Sequence, residues 1–92
     1  GAQVFYFTTS EVSKQAATMM QEELRLVDSE NTRQIKENNT FYMLKKTEVP
    51  TIIVECGFLS NQEEAEKLVS DEYQNQMADA IGRGILGWIA KE

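Results

Sequence analysis

Thr51-Ile52-Ile53-Val54-Glu55-Cys56-Gly57-Phe58 is the most apolar stretch of the chain and carries one carboxylate in its middle. Such a short β-branched run reads as a buried strand. Val49-Pro50 leads into it, and a proline is tolerated at a strand's first residues, where its missing N–H costs no ladder bond. A charge inside such a strand costs several kcal/mol unless it is paired or used, so Glu55 asks for a partner or a task.

The other segments are arranged around that strand. Val4-Phe5-Tyr6-Phe7 is a second buried run, ending at Thr8-Thr9-Ser10. Thr8 with Glu11 fits capping-box spacing, and Val12, Ala16, Met19, Met20, Leu24 and Val27 recur at steps of three or four. They predict a helix with one apolar face over about four turns. Asp28 to Thr40 is polar apart from Ile35 and reads as a long connection, and Phe41-Tyr42-Met43-Leu44 resumes a strand-like run. Beyond Phe58, Ser60 with Glu63 opens a short helix through Val69. Asp71 with Gln74 then opens a last one, striped by Tyr73, Met77, Ile81, Ile85 and Trp88. The order β-α-β-β-α-α is the rhythm of an α/β layer with helices against a sheet.

Several chemistries are excluded by composition. The chain has 92 residues, one small domain at most, and no histidine, which removes the commonest metal ligand and general base together. Its single cysteine, Cys56, permits neither an internal disulfide nor a cysteine-rich zinc site. A net charge of −6 argues against nucleic acid or an anionic membrane surface as the main partner. No apolar run approaches the roughly 20 residues of a membrane span. The opening Gly1-Ala2-Gln3 lacks an initiator Met, which points to an excerpt, a processed product or a cloned piece.

Gly82-Arg83-Gly84-Ile85-Leu86-Gly87 spells G-x-G-x-x-G, but it lies inside a helical stripe rather than between a strand and a helix. The dinucleotide reading therefore fails, and close helix packing against the sheet is expected instead. Cys56 has no histidine to activate it and alternates with Glu55 across the strand, so it reads as a structural thiol. Glu63, Glu64 and Glu66 sit at a helix start, where carboxylates suit the positive dipole end. Glu55 has two open readings. Near the carboxyl end of its strand, where open α/β sheets bind ligands, it can be a general base with a raised pKa, or it can be ion-paired to Lys45, Lys46 or Arg33.

The segment from Val49-Pro50-Thr51 through Glu55-Cys56-Gly57-Phe58-Leu59-Ser60-Asn61, with Glu63-Glu64 and Leu68, closely resembles the C-terminal signature of zinc-dependent N-acetylmuramoyl-L-alanine amidases of the Amidase_3 type. Tyr42 to Thr47 is similar to the strand before that signature, and Tyr73 to Ile85 to the family's closing helix. Gly1 to Phe7 resembles the strand after the family's second metal-binding His, and Arg33 and Lys36 a basic pair. The resemblance covers all 92 residues but only the C-terminal half of the family's catalytic domain. It implies cleavage of the amide between N-acetylmuramic acid and L-alanine in peptidoglycan. The family holds Zn²⁺ on two His and one Glu, which have no counterpart here, and Glu55 matches the second Glu, which works on the metal's water as general base and then acid.

The resemblance further implies zinc in the parent domain and none bound by this chain alone. Its partners would be peptidoglycan and either the missing N-terminal half or a second copy, and its setting a bacterial cell wall or spore envelope, reached by secretion. Within the family, the wording around Lys45-Lys46-Thr47 and Glu55 is nearest the spore-cortex, germination-specific branch. The alternative is a non-catalytic module that kept the sheet and grips peptidoglycan or a protein.

Overall fold

The structure, a computed structural model, describes residues 1–40, 49–58 and 60–91. Its elements are β1 (Gln3–Phe7), α1 (Glu11–Val27), β2 (Lys36–Asn38), β3 (Ile52–Glu55), α2 (Gln62–Leu68) and α3 (Asp71–Lys91). The expected order β-α-β-β-α-α is observed, with one change of place. The second strand is Lys36–Asn38, inside the stretch read as a connection, while the strand expected at Phe41–Leu44 lies outside the described residues. Three polar residues give no alternating pattern. What makes them a strand is pairing: β2 runs parallel to β1, with Phe5 opposite Lys36 and Phe7 opposite Asn38.

β1 is the middle strand, and β3 lies antiparallel on its other side. Side chains alternate across a strand, so β1 offers Val4 and Tyr6 to one face, where α1 and α3 cover them. Ala2, Val4, Tyr6, Ala17, Met20, Leu24, Met77 and Ala80 form the buried core, with Ile52, Val54 and Cys56 packed against it. Burying a side chain such as Leu24 or Val4 is worth about 1.5–3 kcal/mol.

The caps fall one or two residues from the expected positions. Ser10, not Thr8, caps α1, its Oγ accepting from Ser13 N–H at 3.2 Å. Asn61, not Ser60, caps α2 through Glu64 N–H. Ser70 Oγ accepts from Tyr73 N–H at 3.3 Å at the start of α3. The buried face of α1 is Ser13, Ala17, Met20, Gln21 and Leu24, rotated from the apolar stripe, and Val12 is exposed. Gln21 explains the rotation: its side chain accepts from Val4 N–H and donates to Ala2 C=O, both at 2.9 Å. It satisfies backbone groups at and just before the start of β1, ahead of the β2 ladder, so a polar residue belongs in the core there.

Of the helical glycines, Gly84 is the one pressed by a neighbour. A Cβ there would stand 2.6 Å from Met20 Sδ, whereas one at Gly82 would meet nothing within 4 Å. The close approach is therefore helix to helix, α3 on α1, and not helix to sheet as the sequence suggested.

Candidate functional site

Glu55 is the last ladder residue of β3, opposite Gln3 of β1. Val54 and Cys56, on either side of it, turn into the helix-covered core, so alternation turns Glu55 to the other face, shared with Gln3, Phe5 and Ile53. It is half-buried. Among the described residues the side-chain ion pairs run Lys67–Asp28 and Arg83–Glu23, and neither includes Glu55. Three cations were expected as partners for an ion pair. Arg33 is engaged elsewhere, its guanidinium 4.1 Å from the centre of the Phe58 ring in a cation–π contact. Lys45 and Lys46 lie outside the described residues.

The chain around Glu55 is held from several sides. Cys56 C=O, the first carbonyl past the ladder, accepts the Tyr73 hydroxyl at 2.9 Å. Phe58 N–H donates to Glu64 Oε1 at 3.3 Å. Arg33 is itself fixed at both backbone ends, its N–H donating to Asn31 Oδ1 at 2.9 Å and its C=O accepting Arg25 Nη2 at 2.6 Å. Asn31, buried, also donates to Ala2 C=O. On the opposite side of the sheet from the core, Gln3 Nε2 donates to Gln34 C=O at 3.0 Å. The carboxyl end of β3 therefore gathers Glu55, Gln3, the Arg33–Gln34 segment and Phe58.

One titration bears on the chemistry there. Burial pushes the Cys56 thiol above its ordinary value, which keeps it protonated and unreactive as a nucleophile. Glu64, in the first turn of α2, is the acceptor of the Phe58 N–H bond. The expected reading of Glu64 as a helix-start carboxylate captures its place on α2 but not this reach to Phe58, which no local pattern signals.

The residues present do not fit a zinc site. The chain has no His, and among the described residues no three His, Cys, Asp or Glu side chains converge to hold a metal ion. Among the described residues one cleft lies between the end of α1 and the α2–α3 elbow at Asp28, Lys67 and Tyr73, and another under Trp88 beside Pro50 and Ile52; Glu55 lines neither. The described residues include no helix long and apolar enough to cross a membrane.

Residues 1–87 match the protein family described as N-acetylmuramoyl-L-alanine amidase. Over all its residues the chain is 34% identical to the germination-specific N-acetylmuramoyl-L-alanine amidase of Bacillus subtilis (strain 168), of which it covers 39%. It superposes in full on the CwlD amidase from Clostridioides difficile, solved in complex with the GerS lipoprotein, with a TM-score of 0.95, 39% identity and 47% of that chain covered. An N-acetylmuramoyl-L-alanine amidase from Clostridium difficile 630 gives a TM-score of 0.93 at 31% identity, with the whole of this chain and 50% of that one covered. The chain thus spans about two fifths to one half of these relatives.

Proposed function

This chain belongs to the N-acetylmuramoyl-L-alanine amidase family, and on that premise we propose that residues 1–92 are the C-terminal half of a peptidoglycan-hydrolysing domain with Glu55 as its general base. The bond cut is the amide between the lactyl carbonyl of N-acetylmuramic acid and the amino group of L-alanine. Glu55 takes a proton from the attacking water as the new C–O bond forms. It then gives that proton to the alanine nitrogen as the C–N bond breaks, leaving a muramic carboxylate and a free alanyl amine. Proton transfer of this kind contributes about 10²- to 10⁴-fold to a rate.

One observation carries this reading. Glu55 ends its strand on the face turned away from the helix-packed core, and no cation among the described residues neutralises it. A structural carboxylate would be expected in an ion pair or a hydrogen-bonded network. The zinc of such a domain would be held by ligands outside these 92 residues. Likeness to a germination-specific relative supports spore-cortex peptidoglycan as the substrate and the cell wall or spore envelope as the setting.

The test is digestion of purified peptidoglycan by the full-length protein that contains this chain, followed by mass spectrometry of the soluble products. Stem peptides beginning with a free L-alanine amine, from glycan strands of unchanged length, are expected. New reducing sugar ends, or peptides starting at another residue, would overturn the assignment.

A further inference from the structure

β3 stops at Glu55, and the ladder that fixes its backbone stops with it: Gln3 opposite Glu55 is the last pair. Among the described residues the next ones, Cys56, Gly57 and Phe58, have no strand opposite them, and Gly57 is the most freely rotating residue type. A backbone left to itself there frays, and the residue that would feel it is Glu55, whose carboxylate direction depends on the peptide planes on both sides of it.

Side chains from α2 and α3 take over where the ladder ends. Tyr73 O–H donates to Cys56 C=O at 2.9 Å, on the near side of Gly57, and Glu64 Oε1 accepts from Phe58 N–H at 3.3 Å, on the far side. Both anchors are themselves fixed. Tyr73 sits in the first turn of α3, its own N–H bonded to Ser70 Oγ and its ring against the core. The α2–α3 elbow is tied to the end of α1 by Lys67 Nζ to Asp28 Oδ2 at 3.2 Å, and Gln74 Nε2 closes it on Leu68 C=O at 2.8 Å. Burial holds the Tyr73 hydroxyl above its ordinary value, so it remains a donor through the neutral range.

We propose that Tyr73 and Glu64 are positioning residues for Glu55, acting through the backbone on either side of Gly57 to hold the carboxylate at its working angle. The proposal rests on the reading of Glu55 as general base. It assigns the α2–α3 elbow, which carries no reacting group, a part in the rate and not only in stability. Tyr73 and Glu64 act on kcat through geometry, and substrate binding is left to other groups.

The experiment uses the full-length protein and a soluble muramoyl-peptide substrate. Tyr73→Phe removes only the hydroxyl and keeps the ring in place. It is expected to lower kcat by about 10-fold or more, the scale of a small misplacement of a reacting group, to leave KM within about twofold, and to displace the acidic limb of the kcat/KM pH profile. Glu64→Leu should lower kcat likewise, and Glu64→Gln, whose amide oxygen still accepts from Phe58 N–H, should recover most of the loss. In a Glu55→Gln background Tyr73→Phe should cost nothing further, because there is no base left to position. Full loss in Glu55→Gln with unchanged kcat and pH limb in Tyr73→Phe and Glu64→Leu would overturn the positioning alone. Additive losses in the double variant would do the same. Wild-type turnover in Glu55→Gln would overturn the base and the positioning together.

Discussion

An alanine at position 82 is expected to stabilise the protein and one at position 84 to leave it clearly less stable than the first. Both replace a glycine in α3, and both gain about 1 kcal/mol of helix propensity, so that gain cancels when the two are compared. Packing is what differs. A Cβ at 84 would lie 2.6 Å from Met20 Sδ, 2.8 Å from Met20 Cε and 3.5 Å from Met20 Cα, whereas one at 82 meets nothing within 4 Å. Carbon contacts are comfortable at about 3.5–4.0 Å, so the Met20 side chain must give by close to 1 Å.

Methionine is pliable, but Met20 is only 4% exposed and must find another rotamer inside the α1–α3 contact. Overpacking of this kind costs about 1–3 kcal/mol. Gly82→Ala should therefore be stabilised by about 1 kcal/mol and Gly84→Ala should fall about 1–3 kcal/mol below it. For a domain of about 150–250 residues each kcal/mol moves Tm by about 2–4 °C. Urea unfolding of the full-length protein measures both variants. Adding Met20→Ala should convert Gly84→Ala into a stabilising change, since the two sites share one contact. Equal stability of the two single variants would refute the close α1–α3 approach.

Gln21→Leu keeps the bulk of a buried side chain but orphans Val4 N–H, and a loss of about 1–3 kcal/mol is expected in denaturant unfolding; a neutral effect would show that the buried amide is dispensable. The Asp28 carboxyl is held below its ordinary value first by Glu30 N–H and then, against burial, by Lys67. Its folded pKa being the lower one, it adds stability above the unfolded value near 4 that is lost as pH falls through the folded value. Asp28→Asn should therefore flatten the acid limb of the stability curve, and an unchanged limb would contradict this. The isolated 92-residue chain should carry less than one equivalent of zinc by elemental analysis, because it has no His to ligate it. Among the described residues β2 and β3 are edge strands, and light scattering should show the isolated chain associating as its concentration rises; a monomer at all concentrations would mean that the sheet closes on itself.

Element order was legible because β1 and β3 are short apolar runs and α1 and α3 carry apolar residues at helical spacing, although burial follows the pattern only in part: β3 is half-buried throughout, and Val12 of α1 and Ile85 of α3 are exposed. β2 was not, since Lys36, Glu37 and Asn38 are held by pairing to β1 rather than by any hydrophobic pattern. The caps were displaced because Thr8, Ser60 and Asp71 satisfy the same local rule as Ser10, Asn61 and Ser70, and only the chain's direction at each helix start chooses between them. The buried Ser13, Gln21 and Asn31 were invisible for the opposite reason: polar residues read as surface until their backbone partners are known. Ser13 Oγ, for example, accepts from Thr51 N–H across 38 positions of sequence. Glu55 stood out because a lone carboxylate in an apolar strand is costly. Tyr73 and Glu64 read only as stripe and helix start, since their bonds to Cys56 and Phe58 depend on how the elbow docks.

The central claim is that Glu55 is a base and not a structural carboxylate. Glu55→Gln in the full-length protein keeps the shape of the side chain and removes the proton acceptor. Release of alanyl peptides from peptidoglycan should then fall by about 10²- to 10⁴-fold while Tm and circular dichroism stay near those of the unaltered protein. Undiminished release with an intact fold would contradict the account.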